Sequence, residues 1–275
     1  MSATELLTRA WRERSSVLSV GLEPCPEYLP ASGFEPTVAG YERFLMDIAE
    51  GSAAHAAAYK FNLAFFEALG PDGWAMLKRV RERLPKGVMV IADAKRGDIG
   101  STAKRYAEST FGWLNADAVT LSPLMGRDSA EPFLAYADRL CYFLCLTSNP
   151  GSRDFLAKDG LYLRIAREVS AWGGPGQCGL VVGATHPERV AEIRAAAPRL
   201  TFLIPGVGAQ GGEVDSVAAA GKINGASAPG LLFHVTRGVL TDKGDSGSLK
   251  DIVARKCEAY RRLTAAAVEG SGVHA

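Results

Sequence analysis

The sequence lacks most of the patterns that mark common classes of enzyme and metal-binding protein. No CxxC pair occurs, and five cysteines are an odd number in a chain of 275 residues, so a disulfide framework is not expected. The four histidines stand in separate segments, without HExxH, a Cys/His ligand pair or EF-hand spacing, so no motif indicates a metal site. GxSxG is also absent, which argues against the nucleophile of an α/β-hydrolase.

Net charge and long apolar runs are likewise missing. Lys and Arg number 31 against 30 for Asp and Glu, a net charge of +1, so no overall field attracts nucleic acid or an anionic membrane. No predominantly apolar run approaches the roughly 18 residues of a membrane span. Residues 1–16 (MSATELLTRAWRERSS) favour an amphipathic helix over a signal peptide. We therefore expect a cytoplasmic protein with reduced cysteines, which binds neither nucleic acid nor membrane.

Eight short β-rich runs alternate with charged, helix-favouring segments. This alternation predicts βαβ units and a parallel sheet, and eight units suit a closed (β/α)8 TIM barrel of the α/β class. The alternative is a doubly wound open sheet, but its glycine-rich fingerprint should follow the first strand, where Leu22-Glu23-Pro24 stands instead. We expect one barrel domain over residues 1–267 and a frayed tail over 268–275. The runs are Val17–Gly21, Ala57–Asn62, Val88–Asp93, Ala118–Ser122, Tyr142–Thr147, Leu180–Gly183, Thr201–Pro205 and Leu231–Arg237.

Charged residues stand where the third run ends. In Val88–Tyr106 (VMVIADAKRGDIGSTAKRY) an apolar strand leads directly into Asp93, Lys95 and Asp98. Residues two apart in a strand face the same side. Asp93 and Lys95 should therefore project together at the carboxyl end of the strand, where barrel active sites lie. Lys60 ends the neighbouring run AAYKF.

Two interpretations of these charges are open. They form either a solvated loop with an incidental ion pair or part of a site, and Lys60 could simply extend its ammonium to water along an apolar surface. Charges that face a barrel mouth are costly to desolvate unless they are paired or used. Two lysines and two aspartates at neighbouring strand ends would neutralise one another and hold an ammonium close to a substrate carbon.

A glycine-rich loop follows the seventh run. Four glycines occur in the seven residues after Pro205, and glycines let backbone N–H groups approach a phosphate closely. Barrel enzymes often hold phosphate at the loops after strands seven and eight. The eighth run ends at Arg237, which can grip phosphate bidentately, and Gln210 can close over it. The loop alone is equally compatible with a plain turn, but the two features together predict a phosphate site.

Ser148 follows the fifth run, within the segment TSNPG (147–151). Its hydroxyl either points into the barrel mouth or serves a turn, since Ser, Asn, Pro and Gly are all turn residues. The two interpretations carry equal weight on the residues alone.

These segments together resemble one enzyme family. DAKRGDI (93–99) is similar to the DxKxxDI motif of orotidine 5′-phosphate decarboxylases. Five other segments resemble motifs of that family and occur in the same order along the chain. The chain length and SPLMGRDSAEPF (122–133) resemble the longer-chain subgroup. The resemblance implies a (β/α)8 barrel that converts orotidine 5′-monophosphate to uridine 5′-monophosphate and CO2, the last step of pyrimidine nucleotide synthesis, without metal or organic cofactor. The five other segments that resemble family motifs are VGLEP (20–24), YKFN (59–62), SNPG (148–151), PGVGAQGG (205–212) and TRG (236–238).

The resemblance also assigns roles to individual residues. It implies a homodimer with shared active sites, because in the family the aspartate matched by Asp98 and its neighbours Ile99 and Thr102 reach into the partner's site. Glu23 is a departure, since the family usually has aspartate near the ribose. The catalytic charged tetrad is matched by Lys60, Asp93, Lys95 and Asp98. The pyrimidine and phosphate contacts are matched by Ser148, Pro205, Gln210 and Arg237.

The expected chemistry is electrostatic. Loss of CO2 from the pyrimidine leaves a carbanion in the ring plane that no carbonyl conjugates with, so a prepositioned cation has to stabilise it. Lys95 is the candidate for this cation and for the proton donor to C6. Two alternatives stay open: a magnesium-dependent sugar-phosphate decarboxylase or aldolase that shares DxKxxD, and a non-catalytic barrel that binds nucleotide phosphate.

Overall fold

The chain folds as a closed barrel of eight parallel strands in sequential order, β1 to β8. A computed structural model describes residues 1–206 and 211–270 of the chain. Each strand overlaps one of the eight β-rich runs, so the (β/α)8 prediction is confirmed and the open doubly wound sheet is wrong. The strands are β1 Leu18–Leu22, β2 Ala58–Asn62, β3 Met89–Arg96, β4 Ala118–Leu121, β5 Leu140–Leu146, β6 Cys178–Val182, β7 Thr201–Pro205 and β8 Leu231–Val235.

Helices cover the outside of the barrel, and their packing gives the main apolar core. Local capping sets the start of several helices. The Thr37 hydroxyl accepts from the N–H of Gly40 at the start of α2, which satisfies one of the orphan donors of a helix end. None of the helices in the described ranges is long and apolar enough to cross a bilayer. The α-helices are α1 Ala3–Arg14, α2 Val38–Ser52, α3 Leu63–Glu67, α4 Gly70–Arg83, α5 Gly100–Ala107, α6 Arg127–Leu134, α7 Leu161–Val169, α8 Pro187–Ala196, α9 Gly211–Gly221 and α10 Leu249–Gly270.

Helix α1 closes the amino-terminal end of the barrel. It is the amphipathic helix expected from the first residues, and Ser2 and Glu5 cap it reciprocally. Its apolar face packs with a second core cluster, which includes residues of most of the strands and fills the barrel interior. With this end closed by packing, the carboxyl ends of the strands form the mouth in which charged side chains meet.

Helix α10 extends beyond residue 267, where we expected the barrel domain to end. The helix continues to Gly270, so the first three residues of the tail expected over 268–275 are helical rather than frayed. Val268 is 6% exposed and belongs to the outer core, which explains why the helix persists. Residues 271–275 lie outside the described residues. All five cysteines are buried, and none is in a disulfide in the structure: Cys25, Cys141, Cys145, Cys178 and Cys257.

The tight fit of the barrel interior can be tested at Gly179 in β6. A Cβ added there would lie 2.7 Å from both Cδ1 of Tyr142 and the carbonyl oxygen of Thr201. Because Thr201 contributes backbone, Gly179→Ala should lower the free energy of unfolding by about 1–3 kcal/mol. The control is Gly112→Ala, where a Cβ meets no atom within 4 Å. Urea unfolding midpoints measure both variants, and equal midpoints would contradict the close packing.

Candidate active site

A buried carboxylate joins two lysines at the mouth of the barrel. Asp93 accepts from Lys60 Nζ at 2.7 Å through Oδ2 and from Lys95 Nζ at 2.6 Å through Oδ1. The side chains of Asp93 and Lys60 are 10% and 6% exposed, whereas that of Lys95 is 51% exposed. One ammonium is therefore sealed in the barrel, and the other is presented to the mouth.

Lys95 reaches Asp93 through an irregular backbone and not by simple strand alternation. Its φ is +47°, in the left-handed region that residues with a side chain rarely adopt. The pairing between β3 and β4 shifts between Ala92 and Arg96. Thr120 of β4 stabilises this conformation, because its Oγ1 accepts from the Lys95 N–H at 3.0 Å and donates to Asp93 Oδ1 at 2.8 Å. The side chains of Asp93 and Lys95 therefore lie close together, as expected. The reason given for this, regular alternation of side chains along the strand, is wrong.

Glu23 supplies a second carboxylate beside Lys60. It follows β1 directly, is 9% exposed, and lies with Oε1 3.7 Å from Lys60 Nζ. The Thr236 side chain also acts to lower the pKa of this carboxylate. Lys60 thus lies between Glu23 and Asp93, a contact that the sequence does not predict for Glu23. The one feature of the sequence that could have indicated this contact is that Glu23 comes directly after a strand, at the same end of the barrel as Asp93.

The two carboxylates differ in their affinity for protons. Burial by itself raises the pKa of Asp93, but the charges and hydrogen bonds of Lys60 and Lys95 hold it well below its usual range. Burial also raises the pKa of Glu23, and here the attraction of Lys60 is too weak to reverse the shift. Asp93 is therefore firmly ionised, while ionisation of Glu23 works against folding.

Asp98 lies apart from this network within one chain. Its Oδ1 accepts from the Ile99 N–H at 2.8 Å. Among the described residues, no ion pair within 4 Å joins it to Lys60 or Lys95. Ile99 is 52% exposed and Thr102 is exposed on the first turn of α5. Asp98 is therefore half-buried outside its own chain's charged network, next to the exposed side chains of Ile99 and Thr102.

Three of the four residues expected around pyrimidine and phosphate lie at the same end of the barrel. Ser148 is exposed beyond β5, in contact range of Gly183 beyond β6, and Pro205 ends β7 half-buried. The eighth strand ends at Val235, so Arg237 lies in the short 3-10 turn that follows it and not in the strand as expected. Its side chain is exposed. Gln210 falls outside the described residues.

Buried polar side chains near the network carry little sequence signal. Thr120 stands inside the apolar strand AVTL and Ser19 inside LSVGL, where a polar residue has no distinguishing neighbour. His234 and Thr236 stand at alternate positions of LLFHVT, so a shared face was the one available indication. In the described part of the chain, no group of three or more His, Cys, Asp or Glu side chains is placed to hold a metal ion.

Comparison with known proteins identifies the family. The sequence model of the orotidine 5′-phosphate decarboxylase / HUMPS family matches residues 17–252, which is most of the chain. The chain belongs to this family. The resemblance seen in the sequence motifs is thereby confirmed, and the protein is an enzyme of the orotidine 5′-phosphate decarboxylase family.

Similar proteins match the chain over nearly its full length. The orotidine 5′-phosphate decarboxylase of Roseiflexus castenholzii is 48% identical over 244 residues, covering 86% of this chain and 88% of that protein. That of Herpetosiphon aurantiacus is 45% identical over 242 residues, covering 84% and 86%. The structure of Leishmania donovani OMP decarboxylase superposes with a TM-score of 0.81 at 38% identity, covering 96% of this chain and 99% of that chain. The likeness to these proteins therefore extends over most of the chain in sequence and over nearly all of it in fold.

The opposite pKa shifts of the two carboxylates predict opposite pH dependence of stability. The raised pKa of Glu23 gives stability that is complete below its ordinary value of 4.5 and is lost as pH rises through the folded value. The Glu23→Gln variant lacks this loss. The difference in free energy of unfolding between the variant and the parent protein should therefore shift in favour of the variant from pH 4.5 to pH 7. Urea unfolding at both pH values measures the difference.

Asp93→Asn is the matched control for this experiment. The lowered pKa of Asp93 gives stability that is present above its ordinary value of 3.8 and is lost only as pH falls through the folded value. This variant should therefore be less stable by about 3 kcal/mol at both pH 4.5 and pH 7, because one partner of a buried ion pair is removed. Parallel pH profiles for the parent protein and Glu23→Gln would contradict the raised pKa of Glu23.

Proposed function

We propose that this protein decarboxylates orotidine 5′-monophosphate to uridine 5′-monophosphate and CO2, the last step of pyrimidine nucleotide synthesis. The proposal places it in the cytoplasm and requires neither metal nor organic cofactor. One observation carries it: the Lys95 ammonium stands at the barrel mouth, 2.6 Å from a buried carboxylate, in a chain of this family. A cation held in this way is what a reaction through an unconjugated carbanion needs.

Lys95 is proposed to act on the carbon that loses CO2. The bond between C6 and the carboxylate breaks, CO2 leaves, and the electron pair stays on C6 in the plane of the ring. An ammonium fixed beside C6 stabilises this charge as it develops and then donates its proton to C6. Asp93 positions Lys95 through the contact at 2.6 Å, and Thr120 fixes the backbone that presents the ammonium.

Lys60 and Glu23 are proposed to form the ribose side of the site. Lys60 is held between Asp93 at 2.7 Å and Glu23 at 3.7 Å, which leaves its remaining donor capacity for ribose hydroxyls. Glu23 stands where the family usually has aspartate, and its longer side chain still ends within reach of Lys60. An ammonium already occupies the space between the two carboxylates, which supports this function over a magnesium-dependent reaction on a sugar phosphate.

The other end of the substrate is proposed to bind beyond β5, β7 and β8. Ser148 and Pro205 lie at the mouth where the pyrimidine would sit, and Arg237 is exposed after β8 to receive the phosphate. Gln210 is assigned to the same phosphate by its sequence position. Remote phosphate binding would supply energy that is used to position the reacting carbon.

A homodimer with shared sites is the proposed functional unit. Asp98 makes no ion pair with its own chain's lysines within the described ranges, and Ile99 beside it is 52% exposed. Leu124 and Met125, beyond the neighbouring strand β4, are 62% and 47% exposed. An apolar surface beside an unpaired carboxylate fits a second copy that covers the surface and receives Asp98 in its own site.

The activity and the role of Lys95 can be tested together. Purified protein with excess chelator should still consume orotidylate, followed by its loss of absorbance, and Lys95→Ala should lower kcat by several powers of ten, each worth about 1.4 kcal/mol. Lys86→Ala is the control, since Lys86 is exposed before β3 at the opposite end of the barrel. Loss of turnover on chelation would favour the magnesium-dependent alternative, and near-normal turnover by Lys95→Ala would remove Lys95 from catalysis.

Mixing two inactive variants tests whether sites are shared. Asp98→Ala and Lys95→Ala subunits, unfolded together and refolded in equal amounts, form mixed dimers in which one site has both residues intact. Random pairing makes half the dimers mixed and restores one of their two sites, so about one quarter of the parent activity should return. Activity no higher than the mean of the two separate variants would contradict a shared site.

A further inference from the structure

The ammonium of Lys256, in helix α10, holds the segment that follows Arg237. Its Nζ donates to the carbonyl oxygen of Leu240 at 2.6 Å and to Oδ2 of Asp242 at 2.8 Å, and it lies 2.7 Å from Oδ2 of Asp245. An ammonium has three hydrogens to donate, and this arrangement uses all of them on one short segment. The side chains of Lys256 and Asp245 are 19% and 14% exposed, so their contact is largely shielded from water.

The Asp245 carboxylate closes residues 242–245 into a turn and ties this turn to α10. It accepts from the Asp242 N–H at 2.8 Å, and the Asp245 N–H donates to the Asp242 carbonyl at 3.1 Å. Its Oδ1 also accepts at 3.2 Å from Nη2 of Arg255, which precedes Lys256 in the helix. The segment is therefore held by two basic side chains of α10 and by hydrogen bonds of its own.

The same helix packs against the turn that carries Arg237. That turn, Arg237–Val239, is bonded to the next residue, because the Leu240 N–H donates to the Arg237 carbonyl at 3.1 Å. Gly238 lies against Tyr260 of α10, and a Cβ at position 238 would overlap the Tyr260 hydroxyl. The backbone on the carboxyl side of Arg237 is therefore anchored to α10 at two points, through residue 238 and through residue 240.

The guanidinium of Arg237 depends on the backbone of this turn. The side chain is exposed, and in the described ranges no ion pair within 4 Å engages it. The place of the guanidinium is therefore set by the backbone of the turn and by the rotamer of the side chain. A phosphate is bound most tightly when the guanidinium is already in place, because ordering a mobile segment on binding costs conformational free energy.

We propose that Lys256 is a positioning residue that fixes the turn Arg237–Val239, so that Arg237 is held ready for the phosphate of the substrate. This inference rests on the proposed function, in which Arg237 receives that phosphate. Lys256 acts through the backbone and not on the substrate, since its three hydrogens are engaged by residues 240–245. Loss of the ammonium should therefore weaken the use of the phosphate, while the charged network around Asp93 stays as it is.

Kinetics with orotidylate test whether the ammonium matters for the reaction. Lys256→Met keeps the apolar stem and removes the ammonium, and it should lower kcat/KM about tenfold, the effect of losing one charge-assisted hydrogen bond. Lys250→Met is the matched control and should keep the parent value, because Lys250 of the same helix pairs with Glu50 of α2 at 2.8 Å and not with residues 240–245. Equal values of kcat/KM for the two variants would overturn the proposal.

A double variant tests whether Lys256 acts through Arg237. Arg237→Ala removes the group that Lys256 is proposed to place, so adding Lys256→Met in that background should lower kcat/KM by less than about twofold. A purely structural role makes a different demand, since a general loosening of the barrel would lower kcat/KM by the same factor in both backgrounds. Losses that multiply in the double variant would therefore overturn the positioning role.

Asp245 provides a second route if Lys256→Met does not fold. Asp245→Asn keeps the shape of the side chain but removes the charge that pairs with Lys256 and Arg255. It should lower kcat/KM for orotidylate in the same way and have little further effect in the Arg237→Ala background, for the same reason. A full loss in that background, or no loss in either background, would overturn the proposal.

Amide hydrogen exchange tests the turn without any activity measurement. Lys256→Met should speed exchange of the Leu240 N–H, which bonds to the turn, relative to exchange of the Phe202 N–H in the barrel sheet. Lys250→Met should leave this ratio at the parent value. An unchanged ratio in Lys256→Met would overturn the proposal. A parent protein that consumes no orotidylate would instead overturn the proposed function, while the exchange ratio still decides whether Lys256 holds the turn.

Discussion

The Asp93 carboxylate is the group on which the charged site depends. Each of its oxygens accepts from a different ammonium, Lys60 at 2.7 Å and Lys95 at 2.6 Å. Isolated charges at this depth would be costly, and only close pairing with further hydrogen bonds offsets their desolvation. Thr120 gives the additional bond to Asp93 and also holds the backbone of Lys95. The exposed ammonium is therefore placed by the buried carboxylate and cannot be understood without it.

The barrel makes this arrangement possible by bringing distant segments to one rim. Glu23 follows β1, whereas Lys60 lies within β2 and Asp93 within β3, and parallel pairing of the three strands brings these residues together. Helix α1 fills the opposite end with apolar side chains. One irregularity completes the site, since the left-handed backbone of Lys95 turns its side chain towards the mouth. In a regular strand, alternation alone would set the direction of the Lys95 side chain. In β3 that direction also depends on the Thr120 hydroxyl of the neighbouring strand β4.

Much of the fold and part of the site follow from local patterns. Alternating β-rich and helix-favouring runs identify the eight units, because each strand of a parallel barrel is a short apolar segment. The DxKxxDI motif identifies the central charges, since its residues are close in sequence as well as in space. The helical continuation of α10 over Val268 was not predictable from its flanking glycines, because it depends on burial against the outer core.

The sequence by itself determined the number of strands, the charged residues towards the carboxyl end of β3 and the family to which the chain belongs. Only the tertiary structure decided that Glu23 shares Lys60 with Asp93, that Thr120 supports Lys95, and that Asp98 stays apart from its own chain's lysines. It also joined Ser19 to His234 across a separation of 215 residues. The reason is physical: periodicity and motifs record neighbours along the chain, whereas the register between strands decides which buried polar groups meet and which charge each can keep.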